Sequence, residues 1–284
     1  MAGQSWQGEL EVALAAARAA GDAIRRAFRQ DKTVESKKNA SDLVTETDVQ
    51  CEQLVLAHIR AAFPTHQFIG EEQTAANGGL CPLLTDEPTW MCDPLDGTTN
   101  FVHGFPFVCV SIGLAVNRQV VVGVVYNPVL EELFSATLGG GAYLNGAPIR
   151  VSHTQDMAQA LLVTEVGVTR DPQTFRAVFA RVEALAGAMR SVRCCGSCAL
   201  NLCSVACGRC DAFYEIGFGG CWDVAAGSLV VREAGGEVLD PAGGRWGLMS
   251  RRVLAANKVL GQQVARVLKE CPVSDAEPGP AAPE

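Results

Sequence analysis

The stretch Trp90-Met91-Cys92-Asp93-Pro94-Leu95-Asp96-Gly97-Thr98-Thr99-Asn100-Phe101 decides how this chain is read. Trp90 to Cys92 reads as a short apolar strand with Asp93 at its end. Pro94 fixes φ and offers no backbone N–H, so the chain is expected to turn sharply there. The turn returns Asp96 to the side of Asp93 and frees the Leu95 carbonyl to point the same way. Gly97 and Thr98 then open a new segment whose N–H groups suit a phosphate. Two carboxylates and a carbonyl beside an anion cradle match a hard divalent cation such as Mg²⁺, which takes oxygen ligands and substrate phosphates.

Two further acidic segments flank this one. Gly70-Glu71-Glu72 follows an apolar strand, and Trp222-Asp223-Val224-Ala225-Ala226-Gly227 precedes Glu233-Ala234-Gly235-Gly236. Each alone is ordinary capping and turn chemistry. Together, after strands and at helix starts, they stand where α/β proteins place their sites. Carboxylates gathered without a cation raise one another's pKa, a conflict that metal binding resolves.

Outward from these segments the chain reads as a layered α/β protein. Leu10, Leu14, Ala17, Gly21, Ile24 and Phe28 mark one face of a long helix. After the polar segment 30–42, Ser41 or Asp42 is expected to cap a second helix reaching about Ala62, with Cys51, Val55 and Ile59 on its apolar face. Strands are expected at 66–69, 90–92, 108–116, 119–126 and 131–136, and Asn145-Gly146 marks a hairpin turn. Strands at 160–166, 190–194, 211–216, 236–239 and 253–256 then alternate with helices at 172–187, 198–208, 222–234 and 258–270. Residues 1–271 are expected to form one domain in two halves, about 1–150 and 151–271. The Pro-rich tail 272–284 is expected to be disordered.

Composition narrows the function. The 284 residues carry 23 basic and 31 acidic side chains, a net charge of −8. That balance argues against nucleic acid as a partner. No apolar run approaches the ~18 residues of a membrane span. Residues 5–29 mix Arg18, Arg25, Arg26 and Arg29 with Glu9, Glu11 and Asp22, which is not a transit-peptide composition, so a cytoplasmic location is expected. There is no G-x-S-x-G elbow, P-loop, G-x-G-x-x-G or zincin spacing. His103, just beyond the acidic stretch, reads as structural rather than catalytic. Twelve cysteines without a secretory signal read as free thiols. Cys195-x-x-Cys198 and Cys207-x-x-Cys210 have zinc-like spacing but are read chiefly as buried apolar thiols.

The quoted segments resemble the two signatures of the inositol monophosphatase family, W-x-x-D-P-[IL]-D-G-T-x-N-F and W-D-x-A-A-G followed by E-A-G-G. The resemblance runs from about residue 8 to 270 and includes Leu43-Val44-Thr45-Glu46-Thr47-Asp48. Compact length and the Gly70-Glu71-Glu72 segment favour inositol monophosphatase over the larger fructose bisphosphatase and nucleotidase relatives. The resemblance implies an αβαβα sandwich, a Mg²⁺-dependent, lithium-sensitive phosphomonoesterase acting on myo-inositol monophosphates, and a homodimer. It implies that Glu71, Asp93 and the Leu95 carbonyl hold one Mg²⁺, and Asp93, Asp96 and Asp223 a second, with Glu71 helping a third. Thr98, paired with Asp48, would activate the attacking water, and the Gly97 and Thr98 backbone would hold the phosphate. Gly196, Ser197, Cys198, Glu215 and Asp223 would contact the inositol hydroxyls. Lys37 matches a family lysine near the metals, or else is a solvated loop charge.

Three positions depart from the family pattern: Cys198 in place of Ala, the longer Phe218-Gly219-Gly220-Cys221 stretch, and Val168 in place of a small polar residue. All are expected on the inositol side of the site. They leave open another small phosphate, such as a nucleotide 2′-phosphate or galactose 1-phosphate. Cys198, placed in the pocket, is also a candidate redox-sensitive thiol. An inactive scaffold is the remaining alternative, disfavoured because every expected metal ligand is present.

Overall fold

A computed structural model describes residues 5–37 and 41–281. Its elements run α1 (Gln7–Ala27), β1 (Val34–Ser36), β2 (Leu43–Thr45), α2 (Glu46–Ala62), β3 (Gln67–Gly70), α3 (Glu71–Ala76), β4 (Thr89–Asp96) and α4 (Thr98–His103). There follow β5 (Cys109–Val116), β6 (Gln119–Asn127), β7 (Glu132–Thr137), β8 (Gly141–Leu144) and β9 (Ala147–Pro148). The second half holds β10 (Leu161–Thr164), α5 (Pro172–Ala188), β11 (Ser191–Arg193), α6 (Cys198–Ala206), β12 (Ala212–Ile216), α7 (Cys221–Glu233), β13 (Glu237–Leu239), β14 (Arg252–Ala256) and α8 (Lys258–Lys269).

Seven strands form one sheet in the order β3-β4-β5-β6-β7-β8-β9, parallel only between β3 and β4. Five form a second sheet, β11-β10-β12-β14-β13, in which β10 pairs in parallel with both β11 and β12. The Val-rich strands β5 and β6 lack a polar face because their sheet is covered on both sides. Val110, Ile112 and Leu114 pack with Ala13, Ala17 and Ile24 of α1 and Val55 of α2. On the opposite face, α6 and α7 share a core with Val125 and Phe134 of the first sheet and Val163, Phe213 and Val253 of the second. Leu185 of α5 and Leu260 and Val264 of α8 cover the far side of the second sheet, against Leu162, Tyr214 and Leu254. The layers are therefore αβαβα.

Helix α7 is buried from Cys221 through Val231. It lies so close to the seven-stranded sheet that a Cβ on Gly113 would sit 2.7 Å from the Ala225 methyl, and one on Gly123 2.6 Å from the Ala226 carbonyl oxygen. Small residues on both sides thus set the depth at which the helix beds into the sheet.

Three expectations need correction. The second helix is capped not by Ser41 or Asp42 but by Thr45, in a reciprocal capping box with Asp48. Residues 43–45 are extended because they pair with residues 34–36, a hairpin that the polar composition of 30–42 concealed. The sharp turn expected at Pro94 is instead a bulge inside one continuous strand, with the β4–β5 register shifting between Asp93 and Asp96. The tail is not loose over 272–281. The Ser274 hydroxyl lies 2.8 Å from that of Thr174, Glu277 pairs with buried Arg181, and Arg252 donates to the Pro278 carbonyl at 3.1 Å. A Pro-rich composition does not prevent docking when the tail carries the partners of two buried arginines. Residues 282–284 lie outside the described residues.

Among the described residues, no helix is long and apolar enough to cross a membrane. The Asn145-Gly146 turn joins β8 and β9 as expected.

Candidate metal and phosphate site

The site begins with the bulge in β4. In a regular strand, residues three apart point to opposite faces. One inserted residue reverses that, so Asp93 and Asp96 reach the same side. Asp223, in the first turn of α7, joins them from the second half of the chain. One carboxylate oxygen from each of Asp93, Asp96 and Asp223 lies within 4.8 Å of the others, and all three residues are buried. Asp93 Oδ1 also accepts the Leu95 N–H at 3.0 Å, and Asp223 Oδ2 the Gly220 N–H at 2.7 Å. Asp96 Oδ2 accepts the Ser197 hydroxyl and the Ala199 N–H, both at 2.7 Å.

Burial pushes Asp93 well above the usual carboxylate range, and the charges of Glu71, Asp96 and Asp223 push further. Burial likewise raises Asp223 to about 8, reinforced by Asp96 and Glu71. Asp96 rises to about 6 by burial, restrained by its bonds to Ser197 and Ala199. Raised in this way, the carboxylates hold protons that isolated aspartates would have released. A crowded, buried, all-oxygen donor set of this kind fits a hard divalent cation, whose charge would replace those protons.

Glu71 is placed beside this cluster, but its carboxylate is engaged by Lys37 Nζ at 2.8 Å. The same ammonium bonds Glu72 at 2.6 Å. Lys37 is thus an ion-pair partner of the acidic segment and not a solvated loop charge. Burial opposes its charge, yet the two carboxylates hold its pKa above the ordinary lysine value. Glu72 is raised to about 7 by burial and by Glu71.

The Thr98 hydroxyl lies 3.1 Å from Asp48 Oδ1 and 3.2 Å from the Leu95 carbonyl. Asp48 also accepts the Thr45 N–H at 2.8 Å, and burial lifts it to about 6. Gly97 has φ +89°, and a Cβ there would meet the carbonyl oxygens of Phe107 at 2.8 Å and Gly196 at 3.0 Å. Only glycine allows this turn between the bulged strand and α4.

Gly196, Ser197 and Cys198 form the entry to α6. Ser197 caps that helix, accepting from Leu200 N–H while donating to Asp96. Cys198 and Glu215 are buried, and Glu215 Oε2 has no hydrogen-bond partner. Val168 is exposed. Of the three departures from the family pattern, the 218–221 stretch is not confined to the inositol side, because its Gly220 N–H donates to Asp223. Exposed His103 ends α4, and Cys195, Cys198, Cys207 and Cys210 are free thiols.

Three supporting residues escaped the sequence reading. Glu52 accepts the N–H groups of Glu72 and Gln73, both at 2.8 Å, and so caps the helix that begins with Glu71. Glu165 accepts from Cys195 N–H at 2.9 Å, Gly196 N–H at 2.7 Å and Asn201 at 2.7 Å. Asn100 bridges the halves by donating to the carbonyls of Phe107 and Cys195, both at 2.8 Å. Asn100 lies inside the quoted stretch. Glu52 leaves one faint signal, a charge beside the apolar helix face, and Glu165 only its place at a strand end.

Fold and site together define the class: a layered α/β protein with a buried carboxylate cluster where strand and helix ends meet. Comparison with known proteins specifies it. The Inositol monophosphatase family profile matches residues 6–272. Inositol monophosphatase 3 of Solanum lycopersicum is 55% identical over 261 residues, 92% of this chain and 96% of its own. Inositol monophosphatase 1 of Homo sapiens is 44% identical over 270 residues, 94% and 96% of the two chains. Among solved structures, the extragenic suppressor protein suhB of Bartonella henselae superposes with a TM-score of 0.83 at 33% identity, covering 93% of this chain and 99% of that one. The inositol monophosphatase of Anabaena gives 0.82 at 36%, covering 95% and 98%. The chain belongs to the inositol monophosphatase family.

Proposed function

We propose that this protein hydrolyses myo-inositol monophosphates to myo-inositol and inorganic phosphate, with Mg²⁺ as its cation. Relatives named inositol monophosphatase at 44 to 56% identity over nearly the whole chain support the reaction. The single observation that carries the chemistry is the gathering of Asp93, Asp96 and Asp223 beside the Thr98–Asp48 pair. Asp93, Asp96, Asp223, Glu71 and the Leu95 carbonyl would hold the cations. Bound there, they supply positive charge for the phosphoryl oxygens and acidify water.

The chain's own groups do the rest. Thr98 has one hydroxyl proton and gives it to Asp48, leaving its oxygen lone pairs to accept from the attacking water. As the water attacks phosphorus, its proton passes to Thr98 Oγ1 while the Thr98 proton moves to Asp48 Oδ1; the bond from phosphorus to the inositol oxygen breaks, and that oxygen takes a proton from solvent. The backbone N–H groups of Gly97 and Thr98 are assigned to the phosphate, and Glu215 with Cys198 to the inositol hydroxyls. Ser197 and Gly196 act by shaping the α6 entry and holding Asp96. We further assign the protein to the cytoplasm as a lithium-sensitive homodimer, on the family resemblance.

Phosphate release from myo-inositol 1-phosphate, with and without Mg²⁺, tests the reading. Asp93→Asn runs beside it, with nucleotide 2′-phosphate and galactose 1-phosphate as competitors. Mg²⁺-dependent release that is fastest from the inositol ester and lost in the variant is expected. Faster turnover of a competitor would replace the substrate. No release from any ester by folded protein would remove the enzymatic reading.

A further inference from the structure

Three N–H groups converge on one carboxylate oxygen at the entry to α6. Glu165 Oε1 accepts from Cys195 N–H at 2.9 Å, from Gly196 N–H at 2.7 Å and from Asn201 Nδ2 at 2.7 Å. An oxygen has two lone pairs, so three donors this close are held by the charge of the carboxylate. The same two backbone residues meet Asn100 on their other side. Asn100 Nδ2 donates to the carbonyls of Cys195 at 2.8 Å and Gly196 at 3.3 Å. Cys195 and Gly196 therefore send their N–H groups to one half of the chain and their carbonyls to the other. Gly196 turns at φ +83°, and a Cβ there would lie 2.8 Å from Asn100 Nδ2. The turn pivots on Asn100, and Glu165 sets its rotation about that pivot.

The place of Glu165 in the second sheet brings this turn to the inositol side. Thr164 pairs with Tyr214 in the parallel β10–β12 ladder. One step further along each strand come Glu165 and Glu215, at the same end of neighbouring strands. Glu215 Oε2 is buried without a hydrogen-bond partner, an acceptor left for a substrate hydroxyl. Glu165 is instead engaged by the turn, and the turn leads through Ser197 into buried Cys198.

We propose that Glu165 is a positioning residue: it fixes the Cys195–Gly196 turn beside Glu215 and thereby sets the preference for inositol as the leaving alcohol. This rests on the inositol phosphate reading above. Without the carboxylate charge the turn is free to swing about Asn100 next to Glu215, and the rim that meets the inositol hydroxyls loosens. The metal side is held separately. Asp96 keeps the Ser197 hydroxyl and the Ala199 N–H, both at 2.7 Å, and Asn201 N–H stays on the Ser197 carbonyl at 3.0 Å. Loss of the charge therefore weakens contacts to the leaving alcohol and spares those to the phosphate.

Glu165→Gln keeps the shape of the side chain and removes its charge. With Mg²⁺ present, phosphate release is measured from myo-inositol 1-phosphate and from phenyl phosphate, whose leaving group carries no ring hydroxyls. For the inositol ester KM should rise about tenfold with kcat within about twofold, the mark of contacts made equally in ground and transition states. For phenyl phosphate kcat/KM should stay unchanged. Asn201→Ala removes the side-chain donor to Glu165 and leaves both backbone bonds, so it should keep the parent's ratio between the two esters. Amide hydrogen exchange is followed without substrate. The Cys195 and Gly196 amides should exchange at least about tenfold faster in Glu165→Gln, while residues 253–256 of β14 stay as protected as in the parent. An unchanged KM for the inositol ester, an equal loss on both esters, or the same shift in Asn201→Ala would overturn the proposal. A parent inactive on both esters would overturn the inositol phosphate reading and the preference with it, whereas unchanged exchange in Glu165→Gln would overturn the positioning role alone.

Discussion

Replacing Gly97 with alanine tests the geometry of the phosphate side. At φ +89° an L residue pays the left-handed penalty of about 1–2 kcal/mol. The new methyl also meets two backbone oxygens, at 2.8 and 3.0 Å, and neither can rotate away. Relief requires the 97 turn to part from the 195–197 turn, which weakens the Asn100 bridge to Phe107 and Cys195. Two hydrogen bonds at about 1 kcal/mol each bring the total to about 3–4 kcal/mol. Gly235→Ala provides the control, since Gly235 has φ +85° with nothing within 4 Å of the added Cβ. It should cost only the conformational part. The difference of about 2 kcal/mol corresponds to about 4 °C in Tm for a chain of this size. Thermal unfolding of both variants in chelated buffer reads that gap, and kcat reads a loss of about 10²-fold for Gly97→Ala alone. Equal Tm values in the two variants, with unchanged kcat for Gly97→Ala, would refute the argument that close approach at Gly97 builds the site.

Without cation, Asp96 and Asp223 keep protons that the unfolded chain releases near pH 4, so chelated protein should lose stability as pH rises from about 4 to 8. Mg²⁺ should therefore raise Tm more at pH 8 than at pH 5, and a chelated Tm that climbs over this range would contradict the cluster's electrostatics. Activity should show an acid limb near pH 6 as Asp48 takes up a proton and can no longer accept from Thr98, with Asp48→Asn losing most turnover. Glu52→Leu strands the Glu72 and Gln73 N–H groups at about 1–3 kcal/mol and should weaken Mg²⁺ activation through Glu71, read as a raised half-saturating Mg²⁺ concentration. Glu277→Ala leaves Arg181, 2% exposed, without its partner and should cost about 3–5 kcal/mol in urea unfolding while kcat per folded molecule is unchanged.

Much of the architecture was legible because burial writes itself into residue spacing. The Val runs of β5 and β6 and the apolar face of α1 report covered surfaces directly. The site was legible for another reason: three short acidic segments at element ends have little use unless something gathers them. What escaped shares one character. The β1–β2 hairpin is polar, and Glu52, Glu165 and the docked tail act through hydrogen bonds or ion pairs to partners far away in sequence. Such partners leave no period behind. The bulge in β4 was misread as a turn because Pro94 permits either, and only pairing with β5 distinguishes them.

The separation of the three aspartates has a further consequence. Asp93 and Asp96 lie in the first sheet and Asp223 on a helix held between the two sheets, so no contiguous piece of either half carries the full set. Cation occupancy therefore reports on assembly as well as on catalysis. If the chain were cut in the stretch 152–158 and the pieces mixed, each would bring only part of a coordination shell. The metal would then bind tightly only to the rejoined pair, and its titration would measure how strongly the halves hold each other.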